Sequence, residues 1–171
     1  DIVSSLLDLS RQTTSYEEPV DLNQVIDDAI RIMYNKYKYR DAIIKRCLDK
    51  NIPNIRGNFS QLGQVCINII QNAIQAVPEN NGEVILETGA KNNHLYFRCQ
   101  DNGGGIPKDK LPHIFQPFFT TKPVGEGTGL GLYVCHDIIT KHQGQIHVYN
   151  NEKGGATFEI TLPLSQSALV A

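Results

Sequence analysis

An α+β two-layer sandwich is the fold class that the sequence predicts, with helices laid on a mixed, mostly antiparallel sheet and a short helical extension at the N-terminus. Three observations predict it. Two long segments repeat apolar residues at the helical period. Several short segments alternate at the strand period, and two of these are joined by a polar turn. No internal repeat is present.

Taken in order, Ile2, Val3, Leu6, Leu7 and Leu9 make an apolar stripe on a helix from Asp1 to about Gln12. Such a helix is too short to stand alone. It either docks on this domain's own core or ends a longer helix that begins upstream. Residues 13–19 are polar and close on a proline, which reads as a linker or hinge. Asp21 opens the next helix with Gln24 at capping-box spacing, and Val25, Ile26, Ala29, Ile30 and Met33 form its apolar stripe. Ala42 to Leu48 is a β-rich run. Asn58 caps a strong helix, with Gln61 at the reciprocal position and Leu62, Val65, Cys66, Ile69, Ile70, Ala73 and Val77 on one face. Pro78 and Asn80-Asn81-Gly82 end it.

Glu83 to Thr88 and His94 to Gln100 read as strands joined at Lys91-Asn92-Asn93. In the second, Leu95, Phe97 and Cys99 face one way, Tyr96 and Arg98 the other. A mixed loop runs from Lys108 to Glu126. A helix over Leu130 to His142, a strand over Gln145 to Tyr149, a turn over Asn150 to Gly154 and a last strand over Ala156 to Leu162 complete the chain.

The 171 residues suit one domain with a real core, and 40% hydrophobic with 20% charged residues argues for a globular chain against a disordered one. A net charge of −2 leaves no basic excess, so nucleic acid and anionic membranes are set aside as main partners. Any bound polyphosphate must be balanced locally. Cys47, Cys66, Cys99 and Cys135 are far apart, with no C-x-x-C pair, and each lies in an apolar pattern. They read as reduced core thiols in a reducing, cytoplasmic setting. No apolar run is long enough to span a bilayer and no signal peptide is visible. The chain starts on Asp1 rather than methionine, so it is read as a piece of a longer protein that is open to membrane attachment elsewhere.

Two glycine clusters carry most of the chemistry. The first is Asp101-Asn102-Gly103-Gly104-Gly105-Ile106, the second Gly125-Glu126-Gly127-Thr128-Gly129-Leu130-Gly131, which runs into a helix. Glycines let a backbone approach a ligand, and the N–H groups at a helix start favour an anion. On the Asn58 helix, Gln64, Asn68 and Asn72 fall on one stripe beside the apolar face. They are either a solvated polar face or amide oxygens aimed into a pocket, where a neutral oxygen suits Mg2+. Asp101 either stabilises a turn or accepts a hydrogen bond from the exocyclic amine of adenine, which guanine would not offer. Phe115, Phe118 and Phe119 mark the intervening loop as a lid. Lys122, after Thr120 and Thr121, is either a surface lysine or a reach to the terminal phosphate. Lys108 and Lys110 read as solvated charges.

Asn68-x-x-x-Asn72-Ala73, Asp101-x-Gly103-x-Gly105-Ile106, Phe115-x-Pro117-Phe118-Phe119 and Gly127-x-Gly129-Leu130-Gly131-Leu132 resemble, in order and spacing, the four boxes of the catalytic ATP-binding domain of sensor histidine kinases. The resemblance covers about Val20 to Pro163. It implies the Bergerat ATP-binding sandwich of the GHKL superfamily, with ATP and Mg2+ as ligands. It implies Asn72 as the metal ligand and Asn68 as its phosphate-side partner. Asp101 becomes the reader of adenine, with Gly103, Gly105 and Ile106 shaping the base pocket. Gly127, Thr128, Gly129, Leu130, Gly131 and Leu132 become the phosphate turn. Phe118, Thr121 and Lys122 belong to a lid similar to that of nitrogen-regulator-type kinases, and Thr157 matches a position that supports the adenine site through water.

The same resemblance divides the chain. Residues 1–15 look like the end of a dimerisation and phosphotransfer helix, 16–20 a linker, 21–165 the catalytic domain and 166–171 a tail. His136-Asp137 has the dipeptide of a phospho-acceptor but lies in the wrong domain, so the acceptor histidine is expected outside this chain. The implied partners are that dimerisation domain and a response-regulator receiver domain. A homodimer is implied for the whole protein and a monomer for a piece lacking those helices. Hydrolysing relatives place a glutamate one turn before the metal-binding asparagine as a general base. Here Asn68 stands there, which points to transfer rather than hydrolysis. The alternative is a nucleotide-gated interaction module of the same superfamily without transfer.

Overall fold

The computed structural model describes residues 15–36, 41–117, 119 and 131–164. The expected N-terminal helix therefore lies outside the described residues, as does the tail. The described elements are β1 (Glu18–Val20), α1 (Leu22–Lys36), β2 (Ala42–Leu48), β3 (Ile55–Gly57), α2 (Phe59–Ala76), β4 (Gly82–Lys91), β5 (His94–Asp101), a 3-10 turn (Leu111–His113), α3 (Gly131–Lys141), β6 (Gln145–Asn150) and β7 (Ala156–Pro163). Among them, no helix is long and apolar enough to cross a membrane.

The main sheet runs β2-β4-β5-β7-β6. All neighbours are antiparallel except β2 and β4, which are parallel and paired from Ala42↔Gly82 to Leu48↔Thr88. Parallel neighbours need a long crossover, and β3 and α2 supply it. Between β4 and β5 the loop is only Asn92 and Asn93, both at positive φ (54° and 64°). That is the turn whose twist matches a hairpin, and asparagine tolerates it better than most residues. β1 pairs antiparallel with β3, so residues 18–20 of the segment read as a linker form a strand. Three residues are too few for a legible alternation.

One face of the sheet carries the core. Leu95, Phe97 and Cys99 of β5 and Phe158, Ile160 and Leu162 of β7 are buried there, under α1, α2 and α3. From α2, Leu62, Val65, Cys66, Ile69, Ile70 and Ala73 are all at most 3% exposed. Filling so much of one helix face is worth several kcal/mol at ~25 cal/mol per Å2 of apolar surface buried. On the other face, Arg98 bridges Glu87 and Glu159 and lies 4.3 Å above the Tyr96 ring. Three thiols are core as expected: burial pushes Cys135 up to about 12, and Cys66 and Cys99 are likewise raised. Cys47 departs from the expectation. It is exposed, because β2 is an edge strand and Cys47 points off the open face.

Both helix starts differ from the expected reciprocal caps. Asp21 Oδ1 accepts from Asn23 N at 3.0 Å and Gln24 N at 3.4 Å, but the Gln24 side chain turns away to Asp28. Asn58 Oδ1 accepts from Gln61 N at 3.0 Å. The Asn58 N–H, however, donates to His142 Nε2 at 3.0 Å, and Gln61 Oε1 is buried without a partner among the described residues. His142 sits at the end of α3, 3% exposed, with Nδ1 2.8 Å from the Ile138 carbonyl and the Tyr16 ring edge-on at 4.9 Å. A β-carbon on Gly57 would stand 2.8 Å from the imidazole. Since Nε2 accepts and Nδ1 donates, the ring is neutral and its tautomer fixed.

Burial holds the His142 pKa below its ordinary value, partly offset by the bond to Ile138. The unfolded chain therefore binds the extra proton first, and stability falls as pH drops below about 6.5. A wild-type thermal midpoint that declines from pH 7 to 5.5, and a flatter curve for His142→Gln, are expected in a calorimetric pH series. The lost bond to Asn58 should cost roughly 1–3 kcal/mol.

Candidate functional site

Helix α2 organises the site because it touches both glycine clusters. A β-carbon on Gly103 would come within 2.4 Å of the Ala76 carbonyl, so only glycine lets the first cluster lie against the end of α2. Eight residues earlier, about 12 Å along the axis at 1.5 Å per residue, Asn68 Nδ2 lies 3.4 Å from the Gly131 carbonyl and 3.7 Å from Cys135 Sγ. Asn72 lies midway and half-buried, and its side chain makes no hydrogen bond to another described residue. The helix therefore offers the Asn68 Oδ1 and the whole Asn72 amide towards one side. Gln64, a turn before, has a buried Oε1 with no partner among the described residues.

Asp101 ends β5 at 4% exposure. Its Oδ1 accepts from Gly103 N at 2.9 Å and Ala156 N at 3.2 Å. Burial raises its carboxyl pKa, and these two N–H donors act against that rise. Oδ1 is thus held by backbone, which leaves Oδ2 as the oxygen for a ligand. Gly105, at φ 74°, bends the chain beyond, and a side chain there would be strained. Asn102 anchors the loop sideways: its Oδ1 accepts from Glu83 N at 2.8 Å and its Nδ2 donates to the Asn81 carbonyl at 2.8 Å.

Strand register sets where Thr157 stands relative to Asp101. β7 pairs Gln100 with Thr157 and Cys99 with Phe158, so Asp101 shares its face with Ala156, and strand alternation sends Thr157 to the opposite face. Its Oγ1 instead accepts from Asn151 Nδ2 at 3.1 Å. The residue beside the carboxylate is Ala156, whose backbone rather than side chain contributes.

Asn150 and Asn151, read from the sequence only as part of a turn, prove to be contacts of the loop. Asn150 exchanges two bonds with Ile106, N–H to Oδ1 at 2.8 Å and Nδ2 to carbonyl at 2.9 Å. Asn151 Nδ2 donates to the Asp101 carbonyl at 3.1 Å. An Asn-Asn pair before Glu-Lys-Gly-Gly signals a turn, but nothing in it names the partner. Leu132 is half-buried at the start of α3 against the core, and Ile106 packs there too. Phe115 packs on the core and tilts against His136 at 5.7 Å, while Phe119 lies 6.4 Å from His113. Phe118, Thr121, Lys122, Gly127, Thr128, Gly129 and Leu130 lie outside the described residues.

Among the described residues, no three His, Cys, Asp or Glu side chains gather. A soft-metal or carboxylate cage is therefore not what this region offers. Half-buried amide oxygens on one stripe do fit a hard cation such as Mg2+, which keeps most of its waters and takes its other oxygens from phosphate.

The family model of the histidine kinase-, DNA gyrase B-, and HSP90-like ATPase matches residues 57–166. The sensor histidine kinase ZraS of Escherichia coli K12 is 35% identical over 164 residues, 96% of this chain and 35% of that protein. The chain thus spans about a third of that curated relative. The solved catalytic domain of the histidine kinase ThkA is 31% identical with a TM-score of 0.77, covering 85% of this chain and 94% of that one. ThkA in complex with the response regulator TrrA matches at 26% identity and a TM-score of 0.77, over 95% of this chain and 46% of that one.

Asp101→Asn tests the carboxylate cleanly. The amide oxygen would keep the bonds from Gly103 and Ala156, and its nitrogen would then face the ligand as a donor. The thermal midpoint should hold or rise, since a buried charge is removed, while affinity for adenine nucleotides falls roughly 10- to 100-fold in a titration, an unsatisfied pair costing ~1–3 kcal/mol. Unchanged affinity would remove the base-reading role.

Proposed function

The chain belongs to the histidine kinase-, DNA gyrase B- and HSP90-like ATPase family, and on that premise we propose that it is the ATP-binding catalytic part of a two-component sensor histidine kinase. It transfers the γ-phosphate of ATP to a histidine on a dimerisation domain outside these residues, for relay to a response regulator. Residues 1–15 are the end of a dimerisation helix, and 21–165 the catalytic domain. The reading places this domain in the cytoplasm, within a protein that dimerises through helices not included here.

The observation that carries the reading is Asn68. It stands one turn before Asn72, and its Nδ2 is committed to the Gly131 carbonyl, so no carboxylate occupies the place from which water would be deprotonated. In phosphoryl transfer the protein mainly positions groups and balances charge. An incoming imidazole, neutral and nucleophilic near pH 7, needs no base. Asp101 Oδ2 accepts from the adenine amine, and the glycine turn before it lets the base lie against the backbone. The α3 start, with the phosphate turn before it, receives the triphosphate. Asn72, with Asn68 beside it, would hold Mg2+, whose charge offsets that of the phosphates. Lys122 and Thr121 are the residues assigned to the terminal phosphate.

A dimerisation domain bearing its histidine, supplied in trans with ATP labelled on the γ-phosphate, decides the matter. Acid-labile label on that domain is the expected result, with ATP hydrolysis by the chain alone far slower. ATP binding without transfer would support a nucleotide-gated interaction module instead. Asn72→Ala should abolish the Mg2+-dependent part of ATP affinity and leave the thermal midpoint within a few degrees, checked by titration with and without Mg2+.

A further inference from the structure

We propose that Asn150 and Asn151 are positioning residues for the nucleotide base, gripping the Asp101–Ile106 loop at both of its ends from the β6–β7 turn. The proposal rests on the nucleotide reading above and adds a determinant to it. At one end, Asn151 Nδ2 holds the Asp101 carbonyl at 3.1 Å. At the other, Asn150 pairs with both backbone groups of Ile106 at 2.8 and 2.9 Å, as a neighbouring strand would. Between the two ends, Asn102 ties the loop to β4.

Between these ties lies Gly103-Gly104-Gly105, the segment with the most conformations to lose, where Gly103 N–H donates to Asp101 Oδ1 at 2.9 Å. A loop of three glycines has no side chains to pack. Its shape must be imposed from outside, and the two asparagines impose it. Asn150 Oδ1 would lie 3.0 Å from a β-carbon on Gly105, so it also braces the bend at φ 74°. Asn151 is itself rigid. Its Oδ1 accepts from Lys153 N at 3.0 Å and Gly155 N at 3.2 Å, and its Nδ2 is shared with Thr157 Oγ1. Gly155 fits so closely that a β-carbon there would meet the Asp101 carbonyl at 2.0 Å. The turn is therefore pressed against the residue that reads the base, and Thr157 acts by steadying Asn151.

Two variants test the grip. Asn150→Ala removes both bonds to Ile106. Asn151→Asp keeps the acceptors for Lys153 and Gly155, so the turn survives, and removes the donor to Asp101. In each, the dissociation constant for ATP, read by displacement of a fluorescent ATP analogue, should rise about tenfold, while the thermal midpoint of the free protein moves only a few degrees. In labelled transfer to the dimerisation domain, KM for ATP should rise with kcat unchanged at saturation. Amide exchange at residues 103–106 should quicken in the variants. ATP affinity within twofold of wild type in Asn151→Asp, whatever the thermal midpoint does, would overturn the proposal. Failure of the wild-type protein to bind ATP would instead overturn the nucleotide reading on which it stands.

Discussion

The contact on which the rest depends is the seating of α2. Its apolar stripe fills the space between the sheet and its two companion helices, and that fixes its rotation about its own axis. Once rotation is fixed, the adjacent stripe has no freedom either. Gln64, Asn68 and Asn72 must point to the side where α3 begins, and Ala76 must present its carbonyl to Gly103. Core packing therefore sets the distance between Gly103 and Gly131. A shift of one residue in the helix would turn the asparagines by about 100° and separate the parts of the site together.

Much of this was legible in the residues. Helices over 22–36 and 59–76 follow from apolar spacing, and the hairpin at Asn92-Asn93 from its turn chemistry. The site's two asparagines and Asp101 could be singled out because each residue type is out of place in its local setting. What was not legible is what depends on distant partners. The parallel pairing of β2 with β4 leaves no mark in either segment. The Asn58 cap was visible, but its second donor goes to His142, 84 residues away, rather than to the nearby Gln61. Strand facing is a further case: one step along a strand reverses the face, and only register tells which of Ala156 and Thr157 stands beside Asp101.

The electrostatics are economical. Charged side chains on the open face pair with each other, as Arg98 does with Glu87 and Glu159, and Glu83 does with Lys45 and Lys153. Hydrogen bonds from Lys45 and then Lys153 hold the Glu83 carboxyl below its ordinary value. Around Asp101, by contrast, the neighbours are neutral amides and backbone. In that arrangement one carboxylate stands among several asparagine amides. They offer donors and acceptors without adding charge that would compete with a polyanionic ligand.

The exposure of Cys47, set against the burial of Cys66, Cys99 and Cys135, has a practical consequence for watching this molecule move. A maleimide dye offered to the native protein reaches one thiol, on an edge strand whose residues take no part in the site. The three others become available only when the layers part. Slow alkylation beyond the first equivalent is then a clock for internal opening, with α2, β5 and α3 each carrying its own tick.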